Sequence, residues 1–111
     1  MAAGVVHLPF YATGFRGDDL EAAIAAIAPI STRYGATGYE VFRSRDDRYK
    51  FLMAVDFERK AQWDAYWFGP EFTEMRAACS GWYQVPLLYV WNDLVARGEL
   101  REPAAVGEAT G

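Results

Sequence analysis

The succession of strand and helix signals along these 111 residues predicts an α+β fold in the order strand, helix, strand, strand, helix, strand. Three observations carry that prediction. Two stretches, YEVFRS and YKFLMAVDF, have the alternation and the aromatic and β-branched content of paired strands, and the charged turn Arg45-Asp46-Asp47-Arg48 joins them as a hairpin. One helical pattern precedes the hairpin and another follows it. The outer segments, VVHLPFYAT and WYQVPLLYVWNDL, are apolar on both faces, as in strands covered on both sides.

The first strand runs from Val5 to Thr13. Pro9 cannot donate to a ladder, so a bulge or an unpaired position is expected there. His7 and Tyr11 have the same parity and point to one face if the strand stays regular. In RGDDLEAAIAAIAPISTRYGATG, Asp18 reads as an N-cap with Glu21 three residues on as a capping box, and Leu20, Ile24, Ile27 and Tyr34 share a face. Pro29 should kink this helix and Gly35 should end it. On the first hairpin strand Tyr39, Val41 and Arg43 share a face. From Glu58 to Cys79 the pattern is helical, with Trp63, Tyr66 and Trp67 at i, i+3 and i+4. It breaks at Gly69-Pro70, where proline suits the first residue of a resumed helix, and Phe72, Met75 and Cys79 continue one face. In the last strand Pro86 points to an edge position. Residues 1–96 read as a single domain and 97–111 as a small-residue tail expected to be disordered.

This order is the ferredoxin-like βαββαβ pattern, an antiparallel sheet with two helices on one face. Strands apolar on both sides would leave roughly several hundred Å² of apolar surface on the uncovered face of a monomer. A homodimer is therefore expected, its sheets packed face to face through a two-fold axis into an α/β barrel.

Composition narrows the function. A chain of this size buries about 60–65% of its unfolded surface. With 52% hydrophobic and 16% aromatic residues, it carries more large rings than one modest core accommodates, so some should line a cavity or an interface. The net charge of -4 and the pI near 4.9 argue against nucleic acid as a partner. No apolar run approaches about 18 residues and no signal-peptide pattern opens the chain, so no membrane contact and a cytoplasmic location are expected. Cys79 is the single cysteine and cannot form an intrachain disulfide; one histidine, His7, argues against His-rich metal sites, so neither metal nor other cofactor is expected.

The stretch GYEVFRSRDDRYKFLMAVDFERKAQWDAYWFGPEF shows a G-Y-x-x-x-R-S-x-D-D hairpin. It continues with F-x-x-x-x-x-F-E-x-K-x-x-W and a proline break before E-F. It resembles the antibiotic biosynthesis monooxygenase domain of the dimeric α/β-barrel superfamily, and AIAPISTRYGATGYE fits that family's exit from the first helix. The resemblance spans residues 18 to 79; the outer strands fit by type. It implies a homodimer with a small pocket in each subunit between sheet and helices. Several members oxidise phenolic polyketides, anthrones or quinols with O₂ and without metal or flavin, others degrade haem, and many have no known reaction. In the haem degraders' pattern the tryptophan position falls on Tyr66, the iron-ligating histidine on Arg76 and an asparagine near Tyr11. Arginine presents no lone pair, so the ligand is absent. The R-S-x-D-D context implies that Arg43 pairs with Asp46 or Asp47 and fixes the turn.

A cofactor-free oxygenase needs a deprotonated, electron-rich phenol or enol, a dry cavity, a base and an anion stabiliser. His7 is the candidate base, since only its ordinary pKa lies near neutrality; the competing reading is a histidine satisfied by one hydrogen bond in the core or interface. Arg76, at the edge of an apolar helix face, is the candidate stabiliser of a phenolate or carboxylate, against an ordinary solvated charge. Tyr66, beside the Gly-Pro break, completes the candidate catalytic set. Trp63, Trp67 and Phe72 on the same stripe, with Tyr11 and Tyr39 on the strands, are the candidate ligand contacts, with core packing as the alternative. Cys79 reads as a small buried hydrophobe. Two other functions compete with a monooxygenase acting on an aromatic or quinol-type small molecule: a non-catalytic ligand-binding or dimerisation module, and an oxygen-free isomerase or cyclase.

Overall fold

In the computed structural model, which describes residues 3–99, β1 (Gly4–Tyr11), β2 (Gly38–Arg43), β3 (Lys50–Phe57) and β4 (Val90–Asp93) form one antiparallel sheet in the order β2-β3-β1-β4. Alternation sorts the side chains. Val6, Leu8 and Phe10 of β1 face Val55, Met53 and Phe51 of β3, and all six are buried under the helices. Helices α1 (Gly17–Ile27), α2 (Lys60–Trp67) and α3 (Pro70–Ala78) cover that face alone, through the fully buried Leu20, Ile24, Trp63, Tyr66 and Phe72. The other face carries His7, Pro9, Tyr11, Phe42, Ala54 and Asn92 and, among the described residues, has no layer upon it. This is the α+β ferredoxin-like topology, with the second helix in two pieces. Among the described residues no helix is long and apolar enough to cross a membrane.

Several local expectations are corrected. α1 begins at Gly17 with Arg16 at the N-cap and no side-chain cap, because Asp18 is drawn away by Arg43. Arg43 pairs with neither Asp46 nor Asp47. Its Nη1 donates to Asp18 and Glu21, each at 2.8 Å, and its Nε donates to the Arg48 carbonyl, so it ties α1 to the hairpin turn. The turn itself is held by Ser44, whose hydroxyl accepts the N–H groups of Asp46 and Asp47. Pro29 does not kink a continuous helix: α1 stops at Ile27, and a 3₁₀ segment, Ala28–Tyr34, carries the proline in its first turn and ends at Gly35.

Pro9 makes no bulge against β3, since the register runs unbroken from Gly4 opposite Phe57 to Tyr11 opposite Lys50. The disruption is on the other side. The Ala3 and Tyr11 carbonyls and the Thr13 N–H all bond toward the C-terminal segment, so the backbone of Pro9, of the same parity, faces that way too. There the expected strand from Trp82 to Leu94 is paired only over Val90–Asp93, plus an isolated bridge of Tyr83 to Ala12. The described part of the expected tail is anchored by an ion pair of Arg97 with Asp56 at 3.0 Å; the remainder, 100–111, lies outside the described residues.

At Gly4 the Trp91 ring fills the place of a side chain, for a Cβ there would lie 2.1 Å from it. Gly4→Ala should therefore displace Trp91 and loosen β4, costing about 1–3 kcal/mol in a urea titration; an unchanged midpoint would contradict this packing.

Candidate functional site

Helical spacing on α2 stacks Trp63 and Trp67, with centroids 5.5 Å apart and planes 26° apart. The chain then turns at Gly69, where a Cβ would meet the Tyr34 hydroxyl at 2.6 Å and the Ala65 carbonyl at 2.7 Å, and Pro70 starts α3. α3 returns Phe72 to 5.1 Å from the Trp67 ring and sets the Arg76 guanidinium 3.8 Å above it. Tyr89, just before β4, closes the group at 5.1 Å from Trp63 and 5.5 Å from Trp67.

Two donors in this nest lack partners. Arg76 Nη2 donates to the Trp67 carbonyl at 2.9 Å, but Nη1 is buried and unpaired among the described residues, as is Trp63 Nε1. Burial pulls the Arg76 pKa below its ordinary value, yet an arginine stays charged. A partly buried cation and an indole N–H stand among aromatic faces, donors whose chemistry suits an anionic or strongly accepting oxygen.

The expected site residues divide between the two faces of the sheet. Trp63, Tyr66, Trp67, Phe72 and Arg76 come together on the helix side. Tyr66 is fully buried, its hydroxyl donates to the Ile27 carbonyl at 2.6 Å, and burial pushes its pKa far above the ordinary tyrosine range, so it holds α2 to the end of α1. The catalytic set of His7, Tyr66 and Arg76 is not assembled: strand parity sends His7 and Tyr11 to the open face, with the sheet between them and Arg76. Tyr11 donates to Asp47 at 2.9 Å, and Tyr39 stands 42% exposed on the outer strand β2.

His7 lines an open-face cavity of about 530 Å³ with Glu40, Ala54, Asp56 and Asn92. Its Nδ1 lies 3.2 Å from Asn92 Nδ2, which also approaches the Val90 carbonyl at 3.5 Å. In the tautomer with its proton on Nε2, His7 Nδ1 accepts from the Asn92 amide nitrogen. Tyr89 and Asn92 were not singled out in the sequence. Tyr89 sits in a segment that reads as strand, and its inward position depends on where that strand fails.

No family model and no curated protein matches the chain. Solved structures do. A "putative antibiotic biosynthesis monooxygenase" from Nitrosomonas europaea superposes with a TM-score of 0.76 at 16% identity, over 87% of this chain and 95% of that one. One so named from Bordetella bronchiseptica gives 0.72 at 19% identity, over 90% and 100%. A Bacteroides thetaiotaomicron protein described as a "possible oxidoreductase" gives 0.69 at 12% identity, over 81% and 97%. This chain has their fold. The family to which the hairpin and second-helix motifs bear resemblance is thus also the one whose named structures share its architecture.

Tyr66→Phe should cost about 1–3 kcal/mol by leaving the Ile27 carbonyl without its donor. Because the Tyr66 pKa is raised on folding, its contribution is complete below about pH 10 and declines as pH rises beyond that. Urea titrations from pH 7 to 11 should show a weaker alkaline loss in the variant than in the parent protein.

Proposed function

We propose that this chain is a cofactor-independent monooxygenase oxidising a phenolic, anthrone or quinol substrate with O₂ at the Trp67–Arg76 site, as one half of a cytoplasmic homodimer. The buried Arg76 Nη1 and Trp63 indole N–H, neither with a partner among the described residues, are the observation that carries the reading. Donors of this kind favour the ionised form of a bound phenol or enol, and stacking on Trp67 and Phe72 holds its ring away from water. The electron-rich anion reduces O₂ directly. One oxygen atom enters the substrate, and the other leaves as water with two hydrogens from the substrate itself, so the balance needs no external reductant. The likeness to proteins named as monooxygenases supports this class of reaction.

Phe42, 50% exposed, and Val90, 54% exposed, lie on the open face together with Tyr11, an apolar surface suited to a second copy of the chain. His7 belongs to that face and, in this reading, serves the interface cavity. The absence of a histidine or free carboxylate among the residues named for the Trp67–Arg76 nest favours a second reading, in which the nest binds its ligand without turning it over.

Oxygen uptake over a panel of hydroquinones and anthrones, with mass spectrometry of products, separates the two. Enzyme-dependent uptake with one added oxygen atom is expected, and Arg76→Met should lower kcat/KM by about 10²-fold while circular dichroism is unchanged. Binding without uptake would establish the non-catalytic reading. Sedimentation should show a dimer at micromolar concentration and a monomer for Phe42→Asp; a monomeric parent protein would remove the interface.

A further inference from the structure

We infer that the segment Val85–Tyr89 is the gate of the Trp67–Arg76 site and that Tyr89 is the side chain that closes it; this rests on that site being where a ligand binds. Two fixed points bracket the segment. Tyr83 bridges to Ala12 on one side, and Val90 pairs with His7 on the other. Between them β1 advances five residues while the C-terminal segment advances seven, so two residues are surplus and the segment must leave the sheet. Pro9 lies opposite this gap and offers no N–H to draw it back. No backbone hydrogen bond joins Val85–Tyr89 to another described residue.

What holds the segment is side-chain packing. Val85 is 77% exposed and Leu88 67%, while Leu87 and Tyr89 turn inward against the core. The Tyr89 ring lies against both Trp63 and Trp67, and Lys60, paired with Asp64, stands 5.7 Å from its outer side. Trp63, Tyr66 and Phe72 are fully buried behind it, while Trp67 and Arg76 are half-buried. Swinging Tyr89 outward breaks no backbone hydrogen bond and removes its ring from contact with Trp63 and Trp67. Local opening of this type is drawn from the least bonded parts of a fold.

The Trp63 indole N–H reports the gate without any ligand. In full-length protein its hydrogen exchange, followed by NMR, should be faster than that of the Val6 and Val55 amides. Tyr89→Ala should accelerate it by at least about tenfold with those amides unchanged, and Tyr89→Phe, which keeps the ring, should leave it as it was. If Tyr89→Ala does not fold, Tyr89→Leu serves the same comparison. Exchange of Trp63 only in step with the Val6 and Val55 amides, or at one rate in all variants, would overturn the gate. Anaerobic stopped-flow mixing with menadiol then tests entry: Tyr89→Ala should raise its association rate. If the Trp63 exchange responds but menadiol and the quinol panel bind to no variant, the gate stands and the reading of the site as a quinol pocket fails. A menadiol association rate unchanged by Tyr89→Ala would overturn Tyr89 as the door.

Discussion

Eight consecutive pairings between β1 and β3, from Gly4 opposite Phe57 to Tyr11 opposite Lys50, organise the rest of this molecule. Because side chains alternate along both strands, one register decides which residues meet the helices and which do not. A slip by one residue would put His7, Pro9 and Tyr11 under α1 and expel Val6, Leu8 and Phe10. The apolar contacts of Leu8 with the helix layer make that slip costly, and the hairpin turn braced by Ser44 sets β2 in step with β3.

The helix layer is tied to this sheet by polar links as well as by packing. Arg43, only 14% exposed in its side chain, reaches from β2 to two carboxylates on α1 and to a carbonyl in the hairpin turn. Tyr66 binds α2 to the last carbonyl of α1, and Tyr34 donates to Glu71 at the start of α3. These links leave the aromatic side chains of α2 and α3 little freedom. Such a rigid wall suits a site that must present ring faces and donors without rearranging.

Against that rigidity, the Arg76 guanidinium is an unfavourable feature for stability alone. Desolvation penalises its charge, one nitrogen is without a partner among the described residues, and the nearest rings return only part of the loss. Together with the unpaired Trp63 indole, it marks a place where the local rules of folding are broken on one face only. The adjoining stretch of sheet is also the one that fails to zip. The packed wall and a cover that makes no backbone hydrogen bonds to other described residues lie side by side.

Composition, periodicity and turn chemistry by themselves determined the order of elements, the hairpin, the break at Gly69-Pro70 and the stripe of Trp63, Tyr66 and Trp67, because each depends on neighbours within a few residues. They also identified Arg76 as a cation at the edge of that stripe. Tertiary structure alone decided that Asp18 and Glu21 serve Arg43 rather than a helix cap, since the competitor comes from 25 and 22 residues away. It decided that His7 lies across the sheet from Arg76, because parity becomes a face only once the helices have chosen a side. It decided the fate of the last strand, where an apolar run reads as continuous but its register against β1 differs by two residues at its two ends, a mismatch that exists only when both ends are paired.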